Sequence, residues 1–282
     1  MSDSKPASSR KPEGTSNALV RTVVGAIYFV VLVGCLYAGI TVTAVVMAIM
    51  AGMCAWELLQ LFRAAGRQPN EIIALACCFL YPLAPLAPVS GATLLLTIAL
   101  MMCVAVWYVS VPRVTITDVA LTVFTPLYCG FAFSAVTMIR MSNPGMQGFL
   151  LAFGTMGSIW LNDAVAYFVG TRFGKTKLAP RISPNKSVEG FVGGLVACVF
   201  IWCIVALLKV NGIGFLFAIP CGLIVGIAGV LGDLFESRIK RGFGVKDSGS
   251  LLPGHGGMLD RSDALLFGCM TALLLLRLGR FL

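Results

Sequence analysis

The chain is dominated by apolar runs that match the thickness of a lipid bilayer. A hydrocarbon core of about 30 Å requires about 20 apolar residues in one α-helix. Division of the sequence at glycines, prolines and charged clusters yields nine such segments: 20–38, 40–62, 70–88, 91–110, 116–139, 146–171, 188–208, 213–238 and 259–281. This pattern predicts an all-α fold, a polytopic integral membrane helix bundle with about nine transmembrane helices.

The composition supports a membrane protein and excludes most soluble classes. Hydrophobic residues make up 58% of the chain and charged residues 12%, whereas a soluble protein usually carries about 25% charged residues. So few polar side chains cannot cover a water-exposed surface, which excludes an ordinary soluble enzyme, a nucleic-acid-binding domain and a disordered scaffold. We attribute the net charge of +9 to basic loops that face anionic headgroups and substrates, and we expect no nucleic-acid partner.

The chain divides into a short polar tail and one membrane domain. Residues 1–18 are rich in Ser, Lys and Pro, which predicts a disordered N-terminal tail. Residues 19–282 form a single transmembrane domain, in which the split between the first two spans rests on the stretch ending at Gly39. Three prolines predict an irregular third span, namely Pro82, Pro85 and Pro88.

The basic residues predict the orientation of the bundle. If the N-terminus lies in the cytoplasm, 17 of the 21 Lys and Arg residues fall on the cytoplasmic side and four on the other. This asymmetry is typical of the positive-inside rule, and an error of one span would destroy it. We therefore expect a multi-pass protein with a cytoplasmic N-terminus and active site. The polar tail lacks the character of a transit peptide, which favours a bacterial inner (plasma) membrane.

The polar chemistry is concentrated in the C-terminal half of the chain. Seven of the twelve carboxylates lie between residues 163 and 263, together with the two densest cationic loops, 172–186 and 238–261. Residues 141–282 are therefore predicted to carry the catalytic spans and loops. The spans of 19–140 are predicted to be structural and are the candidate dimer contact.

An aspartate inside the sixth span is the first candidate site residue. Asp163 precedes Arg172 by nine residues, which places it about 13 Å into the helix. An ionisable group at such depth is costly and usually functional. The alternative is an interhelical hydrogen bond, assisted by Asn162 or Tyr167.

The loop that follows this span, 172–186, is rich in cations. Its charges could neutralise a polyphosphate or a row of lipid headgroups, or they could belong to a solvated loop of the positive-inside type.

Two further clusters lie at the end of the eighth span and in the loop after it. Asp233, Glu236, Ser237 and Lys240 have the spacing of one helix face, which suits either a site or an ion-paired helix end. The stretch 253–257, Pro-Gly-His-Gly-Gly, lets backbone amides approach a phosphate closely. Carboxylates, a glycine-rich turn and cations are the parts needed for Mg²⁺-assisted phosphoryl or nucleotidyl transfer.

These residues resemble the signature of the phosphatidate cytidylyltransferases (CDP-diacylglycerol synthases). The matching positions are Ser237, Ile239, Lys240-Arg241, Lys246-Asp247, His255-Gly256-Gly257, Asp260-Arg261 and Asp263. One departure is Ser262, where the family usually has an apolar residue or Thr, and it leaves the charged set intact. Upstream, the pair Asp163 and Tyr167, the run Ser183-Pro184-x-Lys186 and the pair Glu189-Gly190 are also similar to the family, so the resemblance covers about residues 157–263.

The resemblance implies a reaction and a fold. The reaction is transfer of CMP from CTP to phosphatidate, which gives CDP-diacylglycerol and pyrophosphate in phospholipid biosynthesis. The fold is a homodimeric bundle of membrane helices with a polar cavity open to the cytoplasm and to lipid. The implied partners are CTP, phosphatidate and membrane lipid.

The resemblance also assigns roles to residues. The carboxylates of Asp233 and Asp260 correspond to the Mg²⁺ ligands, with a second metal or a monovalent cation left open. Our mechanistic hypothesis gives three further sets. The phosphates are neutralised by Lys186, Lys240, Arg241, Lys246 and Arg261. Metals or cations are positioned by Asp163, Asp247 and Asp263. The substrates are held by Ser183, Ser237 and the phosphate-cradling His255, Gly256 and Gly257.

Three other functions are weighed against this one. A transporter suits intramembrane aspartates, but here the polar residues gather at one face and no inverted repeat is evident. The CDP-alcohol phosphotransferases carry the string Asp-x-x-Asp-Gly-x-x-Ala-Arg, which is absent. A polyprenol or dolichol kinase uses the same CTP chemistry and stays open, although Lys246-Asp247 and His255-Gly256-Gly257 favour the cytidylyltransferase.

Overall fold

The helices follow the apolar segments of the sequence. The computed structural model describes residues 15–249, 251 and 256–282, with side chains from residue 22 onward. In chain order the elements are α1 (Thr15–Ala38), α2 (Ile40–Ala64), α3 (Glu71–Leu83), α4 (Ala92–Ser110), α5 (Ile116–Thr125), α6 (Ala132–Arg140), α7 (Met146–Phe173), β1 (Lys177–Ala179), β2 (Ser183–Ser187), α8 (Val188–Leu207), α9 (Phe215–Gly242) and α10 (Leu259–Leu278).

The predicted all-α membrane bundle is confirmed. A π-helical segment, Pro126–Phe131, joins α5 to α6 without a break, so the described helices make nine rods, one for each predicted segment. Six of these rods are long and apolar enough to cross a membrane. The orientation of the bundle stays a prediction.

Glycine and proline set the ends of the rods as expected. Gly39 separates α1 from α2 with a φ of 127°, a conformation that residues with a side chain rarely adopt. The irregular third span is also confirmed, because α3 ends at Leu83 and continues as a 3₁₀ turn, Ala84–Leu86. Proline lacks the backbone donor that a regular helix requires, which explains this change.

A short β-hairpin follows α7, where the sequence predicted only a loop. Strands β1 and β2 are antiparallel, with Lys177 opposite Ser187 and Ala179 opposite Ser183. The register shifts between these two pairs, so β2 contains the extra residues of a bulge. Ser187 then caps α8, because its Oγ accepts a hydrogen bond of 3.1 Å from Gly190 N.

Glycines let the helices of the C-terminal half approach closely. A Cβ atom at Gly190 of α8 would lie 2.5 Å from the carbonyl oxygen of Ala166 in α7. A Cβ atom at Gly232 of α9 would lie 2.5 Å from the carbonyl oxygen of Asp263 in α10. Small residues at such contacts are typical of helix packing in membranes. The backbones that carry the candidate site are therefore held in direct contact.

Helix α2 lies inside the bundle although it belongs to the N-terminal half. It packs against α1, α3, α6 and α10, and Leu58, Leu59 and Phe62 are buried at its C-terminal end. By contrast, only Leu100 and Val104 are buried in α4. The N-terminal half therefore contributes both a peripheral helix and a central one.

We expect Gly190→Ala to destabilise the protein by about 1–3 kcal/mol, because the new methyl group overlaps the α7 backbone. Gly157→Ala in α7 is the matched control, since nothing beyond its own stretch of helix backbone lies within 4 Å of its Cβ position. Alanine is also the better helix former, by about 1 kcal/mol. Thermal unfolding of both variants in detergent, followed by intrinsic fluorescence, measures the difference. Equal midpoints for the two variants would contradict close packing at Gly190.

Candidate active site

A cavity of about 740 Å³ opens between α1, α7, the hairpin strands β1 and β2, α8, α9 and α10. Its charged lining residues are Asp163, Lys177, Lys186, Asp233, Asp260, Arg261 and Asp263. An apolar part of the wall includes Phe29 of α1 and Trp160 of α7, whose ring centroids are 5.4 Å apart. The cavity thus combines a charged wall with an aromatic one, which suits a ligand that has both phosphate groups and apolar chains.

Asp233 is held at the cavity by two side chains. Lys186 Nζ lies 2.6 Å from Asp233 Oδ2, and Ser237 Oγ donates a hydrogen bond of 3.2 Å to Asp233 Oδ1. Lys186 comes from β2, so the hairpin brings a cation across to α9. The i, i+4 spacing of Asp233 and Ser237 accounts for their contact on one helix face.

Asp163 faces the same cavity from α7. It lines the cavity together with Asp233 and Lys186. Asn162 Nδ2 donates a hydrogen bond of 3.5 Å to Asp163 Oδ1, and this partner lies on the same helix. The observed contact is therefore not the interhelical bond considered as the alternative.

Asp260 is the most heavily bonded of the candidate carboxylates. Its Oδ1 accepts from Lys240 Nζ at 2.7 Å, and its Oδ2 accepts from Gly257 N at 2.8 Å. Ser248 N donates to both oxygens, at 3.2 and 3.1 Å. Lys240 Nζ also lies 2.5 Å from Glu236 Oε2. One buried ammonium group thus joins α9 to α10.

The remaining predicted residues lie at different distances from the cavity. Arg261 lines it, whereas Lys240 points at Asp260 and Glu236 within the bundle. Among the described residues, three exposed groups are outside the cavity lining: Arg241, Lys246 and Asp247. Arg241 Nη1 donates a hydrogen bond to the carbonyl oxygen of Val245. Ser183 is half-buried in β2, near but not in the lining.

The glycine-rich turn is described in part. Gly256 adopts a φ of 82°, and a Cβ atom there would lie 2.9 Å from Asp260 Oδ2. Gly257 donates its backbone N–H to the same oxygen. His255 lies outside the described residues. The described end of the turn therefore wraps the Asp260 carboxylate.

Sequence reasoning missed Glu57 of α2. The Glu57 side chain is 2% exposed and accepts hydrogen bonds from Met258 N and Leu259 N, both at 2.9 Å. Ser248 Oγ donates a third, at 3.1 Å. The available signal was a lone glutamate within an apolar span, which the rule applied to Asp163 would also have selected.

Helix α1 also contributes to the site without a sequence signal. Gly25, Tyr28 and Phe29 line the cavity. Aromatic residues are common in membrane helices and do not by themselves mark a site. Because α1 lines the cavity and Glu57 of α2 binds the backbone at the start of α10, the site draws on the N-terminal half as well as on the C-terminal half.

The donor chemistry of the cavity fits a magnesium ion that is shared with a substrate. Over the described residues, no three His, Cys, Asp or Glu side chains are grouped closely enough to hold a metal ion together. Mg²⁺ is usually bound by one or two carboxylates together with waters and substrate phosphates. Asp233 and Asp260 both line the cavity, and two carboxylates are sufficient for that mode of binding.

Comparisons with known proteins agree on one family. The model of the cytidylyltransferase family matches residues 19–278. The phosphatidate cytidylyltransferase of Bacillus subtilis is 42% identical over 153 residues, which are 54% of this chain and 56% of the relative. That of Thermotoga maritima is 51% identical over 115 residues, 39% of this chain and 43% of the relative. That of Staphylococcus haemolyticus is 44% identical over 156 residues, which are 55% of this chain and 58% of the relative. The chain thus aligns with about half the length of these curated relatives.

We expect Lys240→Met to destabilise the protein by about 3–5 kcal/mol, because it leaves two carboxylates without their shared counter-charge in a poorly solvated site. Arg238→Met is the matched control, since Arg238 is exposed on the same helix. The control should lie within about 0.5 kcal/mol of the parent. Thermal unfolding in detergent measures both variants. A Lys240→Met midpoint equal to that of Arg238→Met would show that the shared ion pair contributes nothing.

Proposed function

Because the chain belongs to the cytidylyltransferase family, we propose that it is a nucleotidyltransferase that moves CMP from CTP to phosphatidate. The products are CDP-diacylglycerol and pyrophosphate. The observation that carries this proposal is the cavity with one charged and one aromatic wall. The three relatives named above support it further, since each is called a phosphatidate cytidylyltransferase.

The proposed reaction is a displacement at phosphorus. A phosphate oxygen of phosphatidate attacks the α-phosphorus of CTP, and a new phosphorus–oxygen bond forms. The bond from the α-phosphorus to the oxygen that bridges to the β-phosphate breaks, and pyrophosphate leaves with that electron pair. The attacking phosphate is already ionised, so no general base is needed. Catalysis then depends on positioning and on neutralisation of charge.

Cations in the cavity wall supply part of that neutralisation. Lys186 and Arg261 line the cavity from β2 and α10, and Lys177 lines it from β1. Their placement on separate elements lets them contact phosphates from different sides. We further propose that the positive electrostatic potential at the C-terminal end of α9 comes from Lys240, Arg241 and Lys246.

Asp233 and Asp260 are the residues that would hold Mg²⁺. When bound, the ion neutralises phosphate oxygens and so favours departure of pyrophosphate. The contacts of Asp260 with Lys240, Ser248 and Gly257 fix the orientation of its carboxylate. The further carboxylates proposed to position metals or cations are Asp163, Asp247 and Asp263. The proposed substrate contacts are Ser183, Ser237, His255, Gly256 and Gly257.

We also propose where and how the enzyme works. The split of 17 cations to four supports a cytoplasmic N-terminus and a cytoplasmic site. A bacterial inner membrane is the proposed location, and the homodimer is proposed to form through the N-terminal helices. The sparse burial of α4 supports that choice of contact.

The test is transfer of α-³²P label from CTP into chloroform-extractable lipid. Purified protein in detergent should label lipid only when phosphatidate and Mg²⁺ are both present. Asp260→Asn should lower turnover by at least about 100-fold, a loss typical of removing one main charge-stabilising group. Glu71→Gln is the matched control, because the Glu71 carboxylate pairs with Arg63 at the surface and should leave turnover unchanged.

Other outcomes would replace the proposal. If γ-label instead of α-label enters a prenol, the protein is a kinase. If neither label moves in a folded sample, transport becomes the function to test. Turnover retained by Asp260→Asn would remove Asp260 from its role without affecting the reaction assignment.

A further inference from the structure

Glu57 connects the centre of the bundle to the loop that precedes α10. Its two carboxylate oxygens receive the backbone N–H groups of Met258 and Leu259 and the hydroxyl of Ser248. These partners are about 200 residues away along the chain, as the separations of 191, 201 and 202 positions show. The contact therefore depends on the whole fold and not on a local turn.

The loop backbone is packed directly against this carboxylate. A Cβ atom at Gly249 would lie 2.6 Å from Glu57 Oε1, and a Cβ atom at Gly257 would lie 2.4 Å from Glu57 Oε2. No real side chain is accommodated at such distances. Both glycines are thus needed for Glu57 to reach its donors, and the fit leaves the backbone at these two positions little freedom.

Glu57 and Asp260 both bind the described ends of this loop. Ser248 donates its hydroxyl to Glu57 and its backbone N–H to Asp260. The donor to Asp260 at the other end of the loop is Gly257 N, and the next two backbone N–H groups in the chain donate to Glu57. The carboxylate of Glu57 also lies at the N-terminus of α10, where the helix dipole favours a negative charge.

The first turn of α10 carries the residues that face the cavity. Leu259, which Glu57 binds, is followed directly by Asp260 and Arg261, and both of these line the cavity. A displacement of the loop would therefore shift a proposed metal ligand and a proposed phosphate contact together. Misplacement by about 1 Å is enough to cost about 100-fold in rate.

We propose that Glu57 is a positioning residue for nucleotidyl transfer, which fixes Ser248, Met258 and the first turn of α10 so that Asp260 and Arg261 meet the substrate phosphates. This inference rests on the proposed function. Glu57 itself does not line the described cavity, so it acts through the loop.

The variant Glu57→Gln tests this role with little change in volume. The new amide turns an acceptor into a donor, so at least one of the three donors loses its partner. We expect kcat to fall about 100-fold, while KM for phosphatidate changes by less than about threefold, because misplacement acts mainly on the transition state. Assays are made at a temperature at which thermal unfolding shows the variant to be fully folded.

Asp118→Asn is the matched control. Asp118 is also a buried carboxylate that holds a loop, with hydrogen bonds from Gln68 N at 2.8 Å and Thr115 N at 3.0 Å, but it does not line the described cavity. It should lose stability and keep the kcat of the parent. A Glu57→Gln enzyme with parent kcat, or a kcat that falls equally in both variants, would overturn the positioning role.

A second readout separates this inference from the proposed function. Trypsin should cut after the exposed Lys246 faster in Glu57→Gln than in the parent, because the loop has lost an anchor; equal cleavage rates would overturn the anchoring. If the parent transfers no label, the proposed function fails, and the cleavage rates still decide whether Glu57 holds the loop.

If Glu57→Gln does not accumulate in cells, Ser248→Ala replaces it. We expect kcat to fall in this variant, and a kcat equal to that of the parent would count against the proposal.

Discussion

The arrangement of the site depends on one ammonium group, Nζ of Lys240. It lies between the carboxylates of Glu236 on α9 and Asp260 on α10, at 2.5 and 2.7 Å. Asp260 in turn receives the backbone N–H groups of Ser248 and Gly257. Because a charge in a poorly solvated place is costly without a partner, these groups hold one another in place. Two helices, together with Ser248 and Gly257 from the loop between them, are thus held around a single cation.

The two halves of the chain divide the work of building the site. The C-terminal half supplies the charged groups, and close helix contacts at glycines such as Gly190 and Gly232 bring them together. The N-terminal half supplies an aromatic wall from α1 and the buried Glu57 from α2. A membrane bundle has few polar side chains to use, and the buried Glu57 is satisfied by three donors from distant parts of the chain. The site is therefore a product of the whole bundle.

Sequence signals predicted what is encoded locally. Apolar length predicted the nine rods, Gly39 marked the first break, and the i, i+4 spacing placed Glu236 and Lys240 on one face. The hairpin was missed because its strands have only three and five residues and include Pro184 and Asn185, which are uncommon in strands. The role of Glu57 was missed because its partners are far away in the sequence, and periodicity carries no information about such pairings. The part of the site at His255 lies outside the described residues.

The bulge in β2 constrains how this segment can vary in evolution. Lys186 lies between the two register pairs of the hairpin, directly before the residue that caps α8. Glu189 accepts hydrogen bonds from the backbone N–H groups of Lys175 and Thr176, which ties the start of the hairpin to α8. With both ends attached, an insertion or deletion inside β2 would turn Lys186 away from Asp233. We therefore expect length changes in this segment to be confined to the tip, around residues 180–182, where no side chain faces the described cavity.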